Sequence, residues 1–176
     1  MSNSLSFEAE DKIRLELILS LLSLSERPIK TRIKYQKELF LLTKSFPKFE
    51  GIFDFIPHKF GPYSLHAESI LENYCDYFIE DSNGISLTEI GKNTGVHSRD
   101  EMKPQNRAVF EKVAKMIISL AESVTDDELM FLIYSTYGYD EHSDVYESLI
   151  KKKDVLSKRL LDKGLISHNK YQELVA

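Results

Sequence analysis

Phe53–Leu71 reads FDFIPHKFGPYSLHAESIL, and a little further on Ile85–Lys92 reads ISLTEIGK. Pro57 and the Gly61-Pro62 pair mark the aromatic run Phe53–Phe60 as a short extended piece that ends in a turn. Ser64 stands where a helix needs an N-cap, its hydroxyl accepting from a free first-turn amide. Ala67, Ile70, Leu71, Tyr74 and Phe78 then recur at the spacing of a buried helical stripe. The following residues, YFIEDSNGISLTEIGK, alternate on either side of Ser82-Asn83-Gly84, a β-hairpin signal. Thr88 is placed to cap a helical turn that Gly91 closes.

Two helices precede this stretch. Ile13, Leu15, Leu17, Ile18, Leu21, Leu22 and Leu24 give Glu10–Leu24 a helical period, and Ser25-Glu26-Arg27-Pro28 ends it because proline cannot continue a helix. A second helix, from Thr31 to Phe46, places Tyr35, Leu39, Leu42 and Phe46 on one face and Arg32, Lys34, Lys37 and Lys44 among its polar positions. Two helices, an extended piece, a capped helix, a hairpin and LTxxG follow the order of a winged helix. The helix at 64–77 takes the recognition position and 79–87 forms the wing. The fold class expected is mainly α with a small β-hairpin.

Beyond the wing, residues 92–105 read as a polar linker. Asn106–Val124 reads as an amphipathic helix through Val109, Phe110, Val113, Met116, Ile117 and Leu120. Thr125-Asp126-Asp127-Glu128 is a capping box that opens the apolar helix LMFLIYSTY. Two short helices finish the chain, with Gly164 closing the first and Ser167 capping the second, where Ile166 and Tyr171 are placed as a hydrophobic staple. The expected organisation is a winged-helix core at 8–95 with a helical region at 104–176 packed on it.

The runs RIKYQKELFLL, FIPHKFGPYS, SLTEIGK and ELMFLIYSTYGYDEHSDVYESL resemble the YwgA-like winged-helix proteins of bacteria and archaea. More distantly they are similar to the Panacea (SocA-like) antitoxin domain. The resemblance spans roughly 10–150, and its most distinctive piece is Phe60-Gly61-Pro62-Tyr63-Ser64. It implies a regulator or antitoxin-like binder without catalysis, as in defence systems. It carries over only scaffold residues: Gly61, Pro62, Tyr63 and Ser64, with Leu87, Thr88 and Gly91.

Composition narrows the functional classes. The 176 residues are 42% hydrophobic and 29% charged, as in an ordinary soluble domain. No apolar run is long enough to span a bilayer, and the acidic N-terminal stretch MSNSLSFEAEDK lacks the form of a secretory signal, so a cytoplasmic location is expected. Cys75 is the only cysteine, which excludes an internal disulfide and a CxxC site. Between Tyr74 and Tyr77 it reads as a small, partly buried filler on a helix.

The histidines at 58, 66, 97, 142 and 168 have no zinc-ligand spacing, no phosphate-cradling loop exists, and no cofactor is expected. Asp140, Glu141, His142, Ser143 and Asp144 cluster before a helix. They read as a loop with a Ser143 N-cap, while a metal-dependent hydrolase or nuclease using His142 and Asp144 is the enzymatic alternative. Tyr134, Tyr137, Tyr139 and Tyr146 read as the edge of a helical core, or else as an interface.

The net charge of −5 is distributed in blocks. Residues 26–48 hold seven Lys/Arg against two acids, and 61–91 hold six acids with no Lys or Arg; 125–150 hold seven acids and no base, and 151–176 seven bases against three acids. On the third helix the residues left for a partner are His66, Glu68, Ser69, Glu72, Asn73 and Asp76. Affinity for DNA rests on Lys and Arg neutralising phosphates, and this face offers acids instead. The expected function is therefore protein binding without catalysis. The alternative is a DNA-binding transcriptional regulator using Arg32, Lys34, Lys37 and Lys44, flanked by Arg27 and Lys48. A homodimer is compatible with either reading, and in a third the bases simply dock on the acidic blocks or face water.

Overall fold

The computed structural model describes residues 2–138 and 145–176, with side chains from residue 8 onward. Their fold is mainly helical with short antiparallel hairpins. The chain divides into two compact units, residues 1–55 with 64–123 and residues 56–63 with 124–176.

In the first unit, α1 (Ser2–Leu22) and α2 (Arg32–Ser45) are followed by a 3-10 turn at Pro47–Phe49, and α3 is Leu65–Asn73. Thr31 caps α2 by accepting from the Lys34 amide, and the α1 stripe Leu15, Leu17, Ile18, Leu21 and Leu22 is buried, although Ile13 is exposed. Tyr35, Leu39 and Leu42 of α2 join that core with Ala67, Ile70 and Leu71 of α3. Tyr35 through Phe40 are six consecutive buried residues, so α2 is a central helix rather than an amphipathic surface one. That corrects the reading of Lys37 as a polar-face residue, since it is only 2% exposed.

The third helix is shorter than its apolar stripe implied. It ends at Asn73 with Tyr74 as C-cap, and Asp76 and Cys75 lie in the turn beyond it. Cys75 is exposed there and fills no core position. The wing forms as expected, with β3 (Phe78–Asp81) paired antiparallel to β4 (Gly84–Leu87). Asp81 accepts from the Asn83 amide at 2.7 Å to shape the turn. Ile29, between α1 and α2, bridges Ile85 through two backbone hydrogen bonds of 2.8 and 2.9 Å and adds a third partner to the hairpin. Gly84 is required there, because its φ is +122° and a Cβ would run into the Ile29 carbonyl.

The segment read as a linker is instead α4 (Glu89–Asp100), and Gly91 lies in its first turn rather than at its end. Thr88 caps it, accepting from Gly91 N at 3.1 Å while donating to the Asp76 carbonyl at 2.7 Å. Helix α4 packs against α1, burying Gly95 and Arg99, while Gly91 is buried against the Tyr77 backbone. Helix α5 (Pro104–Ser123) packs on α2 and belongs to this first unit, so the division falls after residue 123 rather than near 104. Of its apolar stripe, Phe110 and Ile117 are buried, whereas Val109 and Met116 are exposed.

In the second unit, Ile56–His58 (β1) pairs with Gly61–Tyr63 (β2), so Gly61-Pro62 is the start of a strand and the chain reverses at Lys59-Phe60. Strand β2 packs on α6 (Asp126–Tyr137). The capping box forms, with Thr125 and Glu128 each accepting from the other's backbone amide, and Gly138 closes the helix at φ +68°. Helices α7 (Tyr146–Ile150), α8 (Lys153–Asp162) and α9 (His168–Val175) complete the unit. Glu128 is 1% exposed. Burial would raise its pKa, but Lys163 at 2.6 Å and the Thr125 amide hold it below the usual value. Tyr134 and Tyr146 meet edge to face, 5.6 Å between centroids. Tyr139 and the Asp140–Asp144 cluster lie outside the described residues.

Candidate interaction surface

The recognition-position helix is held by α2 through polar side chains. Ser64 accepts from Ala67 N at 3.1 Å and donates to the Phe53 carbonyl. The Gln36 amide clamps the Ser64 backbone from both sides, accepting from its N–H at 2.9 Å and donating to its carbonyl at 3.1 Å. One turn on, the Tyr35 hydroxyl donates to the Ala67 carbonyl at 2.8 Å. All three side chains are buried, so each polar atom's partner matters fully. Tyr35 and Gln36 stand in the sequence without a recognisable motif. The only signal for them is that they begin the helix's continuous buried run.

At the start of α2, Arg32 joins three elements. Its Nε and Nη2 reach the two carboxylate oxygens of Glu80 on β3, at 2.7 and 2.6 Å. Its Nη1 donates to Glu68 and lies 3.4 Å from Glu72, both on α3. The Glu80 hydrogen bonds push the Arg32 guanidinium above its usual pKa, and Arg32 in turn holds the Glu80 carboxyl below its own.

The six residues expected to face a partner are thus divided by the structure. Glu68 is mostly covered, 15% exposed at its side chain, and is occupied by Arg32 and by Gln36 Nε2 at 3.2 Å. His66 is half-buried, 3.5 Å from Asp54. Glu72, Asn73 and Asp76 are exposed, and Ser69 accepts from Asn73 at 2.8 Å. Leu65, 67% exposed at the first turn, adds an apolar side chain that the sequence reading did not single out. On the wing, Glu80 and Asp81 extend the acidic character, Glu80 being held by Arg32.

The four bases of the alternative reading do not converge. Arg32 is enclosed by carboxylates, Lys37 is buried, Lys34 lines a cavity beside Glu38, and Lys44 lies exposed near the Phe40 ring at 5.7 Å. The scaffold residues also separate: Thr88 and Gly91 build the α4 cap next to Leu87, whereas Gly61, Pro62 and Tyr63 form β2. Among the described residues, no three His, Cys, Asp or Glu side chains group as a metal site, and no helix is long and apolar enough to cross a membrane. Comparisons with protein-family models, with curated proteins and with solved structures find no match to this chain.

Proposed function

We propose that this chain is a protein-binding regulatory module without catalysis, antitoxin-like or accessory to a defence system, built on a winged-helix scaffold. The observation that carries the reading is the exposed face of the recognition-position helix and its wing. Glu72, Asp76, Glu80 and Asp81 line it; Arg32, which reaches Glu72 and Glu80, is already engaged by Glu80 and Glu68, and the exposed Lys30 lies beside the wing at Gly84. Phosphates approaching this face meet carboxylates, so the partner is a basic protein surface. The resemblance to YwgA-like proteins adds the regulatory, antitoxin-like character.

The test uses the two acids that carry no fold-building side-chain contact of comparable strength, Glu72 and Asp76. A tagged chain captured from its native cell at low salt is compared with the Glu72→Lys/Asp76→Lys variant. A basic protein recovered in stoichiometric amount with the first and lost with the second supports the proposal. An equal yield from both assigns binding to another face. Stoichiometric nucleic acid that salt releases would overturn the reading in favour of a nucleic-acid regulator.

A further inference from the structure

One buried group is used neither by the acidic face nor by the helix clamps. Glu38 on α2 is 3% exposed, and its Oε2 has no hydrogen-bond partner among the described residues. It lines a cavity of about 80 Å3 that lies among the α1–α2 connection, α2 and α5. The cavity's apolar walls are Pro28, Ile29, Ile118 and Ala121, and its exposed residues Arg27, Lys30 and Glu122 mark the mouth. A water takes roughly 10–15 Å3 by this measure, so the space admits a group of several atoms.

An orphaned carboxyl oxygen on the wall of a partly apolar cleft suits a ligand with a hydrogen-bond donor at its tip and hydrocarbon behind it. The sign of that donor follows from the surroundings. Glu122 also lines the cavity and its charge acts on Glu38, so the two acids favour a cation once Glu38 gives up its proton. Lys34, one turn from Glu38, acts against one, and Glu38 Oε2 has no partner among the described residues. The exposed bases Arg27 and Lys30 are in water at the mouth, where they are screened and where they favour a ligand whose outer end is anionic. We propose that this cavity is a binding site for a small aliphatic primary ammonium, whose nitrogen donates to Glu38 and whose stem lies along Ile29, Ile118 and Ala121. A carboxylate at the ligand's outer end adds affinity through Arg27 and Lys30.

The carboxyl itself carries a signature. Burial, the largest influence, pushes the Glu38 carboxyl up to about 8, Lys34 acting downward and Glu122 upward. At neutral pH the group therefore holds a proton that an entering ammonium must displace. Affinity then rises about tenfold per pH unit up to about pH 8 and levels off above it, with one proton released per ligand on the acid side.

The experiment is calorimetric titration of the full chain with n-butylammonium, 4-aminobutyrate and n-butyrate between pH 6 and pH 9. Saturable one-site binding of the two amines is expected, with aminobutyrate the tighter, butyrate inert and the pH profile above. Glu38→Gln should weaken amine binding tenfold or more, and Glu122→Gln a few-fold. No saturation, which would mean a cavity holding water only, overturns the proposal. So does a flat pH profile, binding of butyrate in place of the amines, or unchanged affinity in Glu38→Gln. The pH profile of the unsubstituted chain decides the matter even if Glu38→Gln proves unstable.

Discussion

Helices α3 and α4 both open at a hydroxyl cap, Ser64 and Thr88, and both pack on one of the first two helices or a neighbour of theirs. They bury opposite kinds of face. α3 buries Ala67, Ile70 and Leu71 and is clasped by polar side chains reaching from α2. α4 buries Gly91, Gly95 and Arg99, so its backbone lies close to its neighbours and a single guanidinium takes the place of an apolar stripe. The two contacts fail in different ways: α3 by loss of a partner for a buried polar atom, α4 by the addition of any atom at all.

The largest effect should come from Gly95. A Cβ there falls inside van der Waals contact of the Leu19 carbonyl and the Ser23 hydroxyl, and the α1 backbone has no side-chain freedom with which to yield. Gly95→Leu is expected to cost about 3 kcal/mol or more, read as a lowered urea midpoint or loss of soluble protein. A near-native midpoint would mean that the α1–α4 contact is looser than its glycines imply.

Arg99 comes next. Its side chain is 6% exposed, 3.4 Å from Glu111, and Nη1 donates to the Ser20 carbonyl at 3.0 Å and to Ser23 Oγ. Burial pulls its pKa below the usual range while Glu111 opposes that, as expected for a charge kept in the interior by its partners. Arg99→Leu leaves Glu111 to Arg107 alone and the Ser20 carbonyl with only the Ser23 hydroxyl at 3.3 Å, at a cost of about 2–3 kcal/mol by chemical denaturation. If the substitution is neutral, apolar packing substitutes for the guanidinium and the polar face of α4 is dispensable.

The contrast also explains which parts of the fold were legible in the sequence. α3 was readable because Ser64, Ala67, Ile70 and Leu71 follow a capped, apolar helical pattern, and the wing because Asn83-Gly84 sits between alternating strands. α4 was hidden: EIGKNTGVHSRD has two glycines and no apolar stripe, and its helix is dictated by close approach to α1. α5 itself was legible from its apolar period, expected at 106–124 and found at Pro104–Ser123. At the candidate surface the acidic character was legible from composition, but the pairing of Glu68 with Arg32 was not, since it joins residues 36 apart. Lys37 was read as a polar-face residue because a helix buried on every side from Tyr35 to Phe40 carries no period to reveal it.

The α2–α3 side of the comparison is sharpened by Gln36→Leu. The substitution keeps the volume and leaves the buried Ser64 N–H without its partner, while the Ser64 carbonyl keeps the Glu68 amide at 3.2 Å. A loss of about 2 kcal/mol is expected, with faster amide exchange at Ser64 as the local readout. Global destabilisation without change at Ser64 would show that Gln36 acts through packing alone.

Arg32 should give the smallest effect despite having the most partners. It is 42% exposed and Glu80 is 40% exposed, so water screens most of what the hydrogen bonds supply, and Arg32→Met is expected to cost about 0.5–1 kcal/mol at neutral pH. The pH dependence is more telling than the magnitude. Arg32 holds the Glu80 carboxyl below its usual 4.5 in the folded chain, so this stabilisation is complete above about pH 4.5 and disappears as the pH falls through the lowered value. Arg32→Met should therefore flatten part of the acid limb of the stability curve, and added salt should narrow the gap between the two proteins. If the variant instead loses as much as Gln36→Leu and its deficit ignores salt, the corner joining α2, α3 and the wing behaves as interior. The carboxylates at 68 and 80 would then belong to the scaffold, leaving Glu72 and Asp76 to meet a partner.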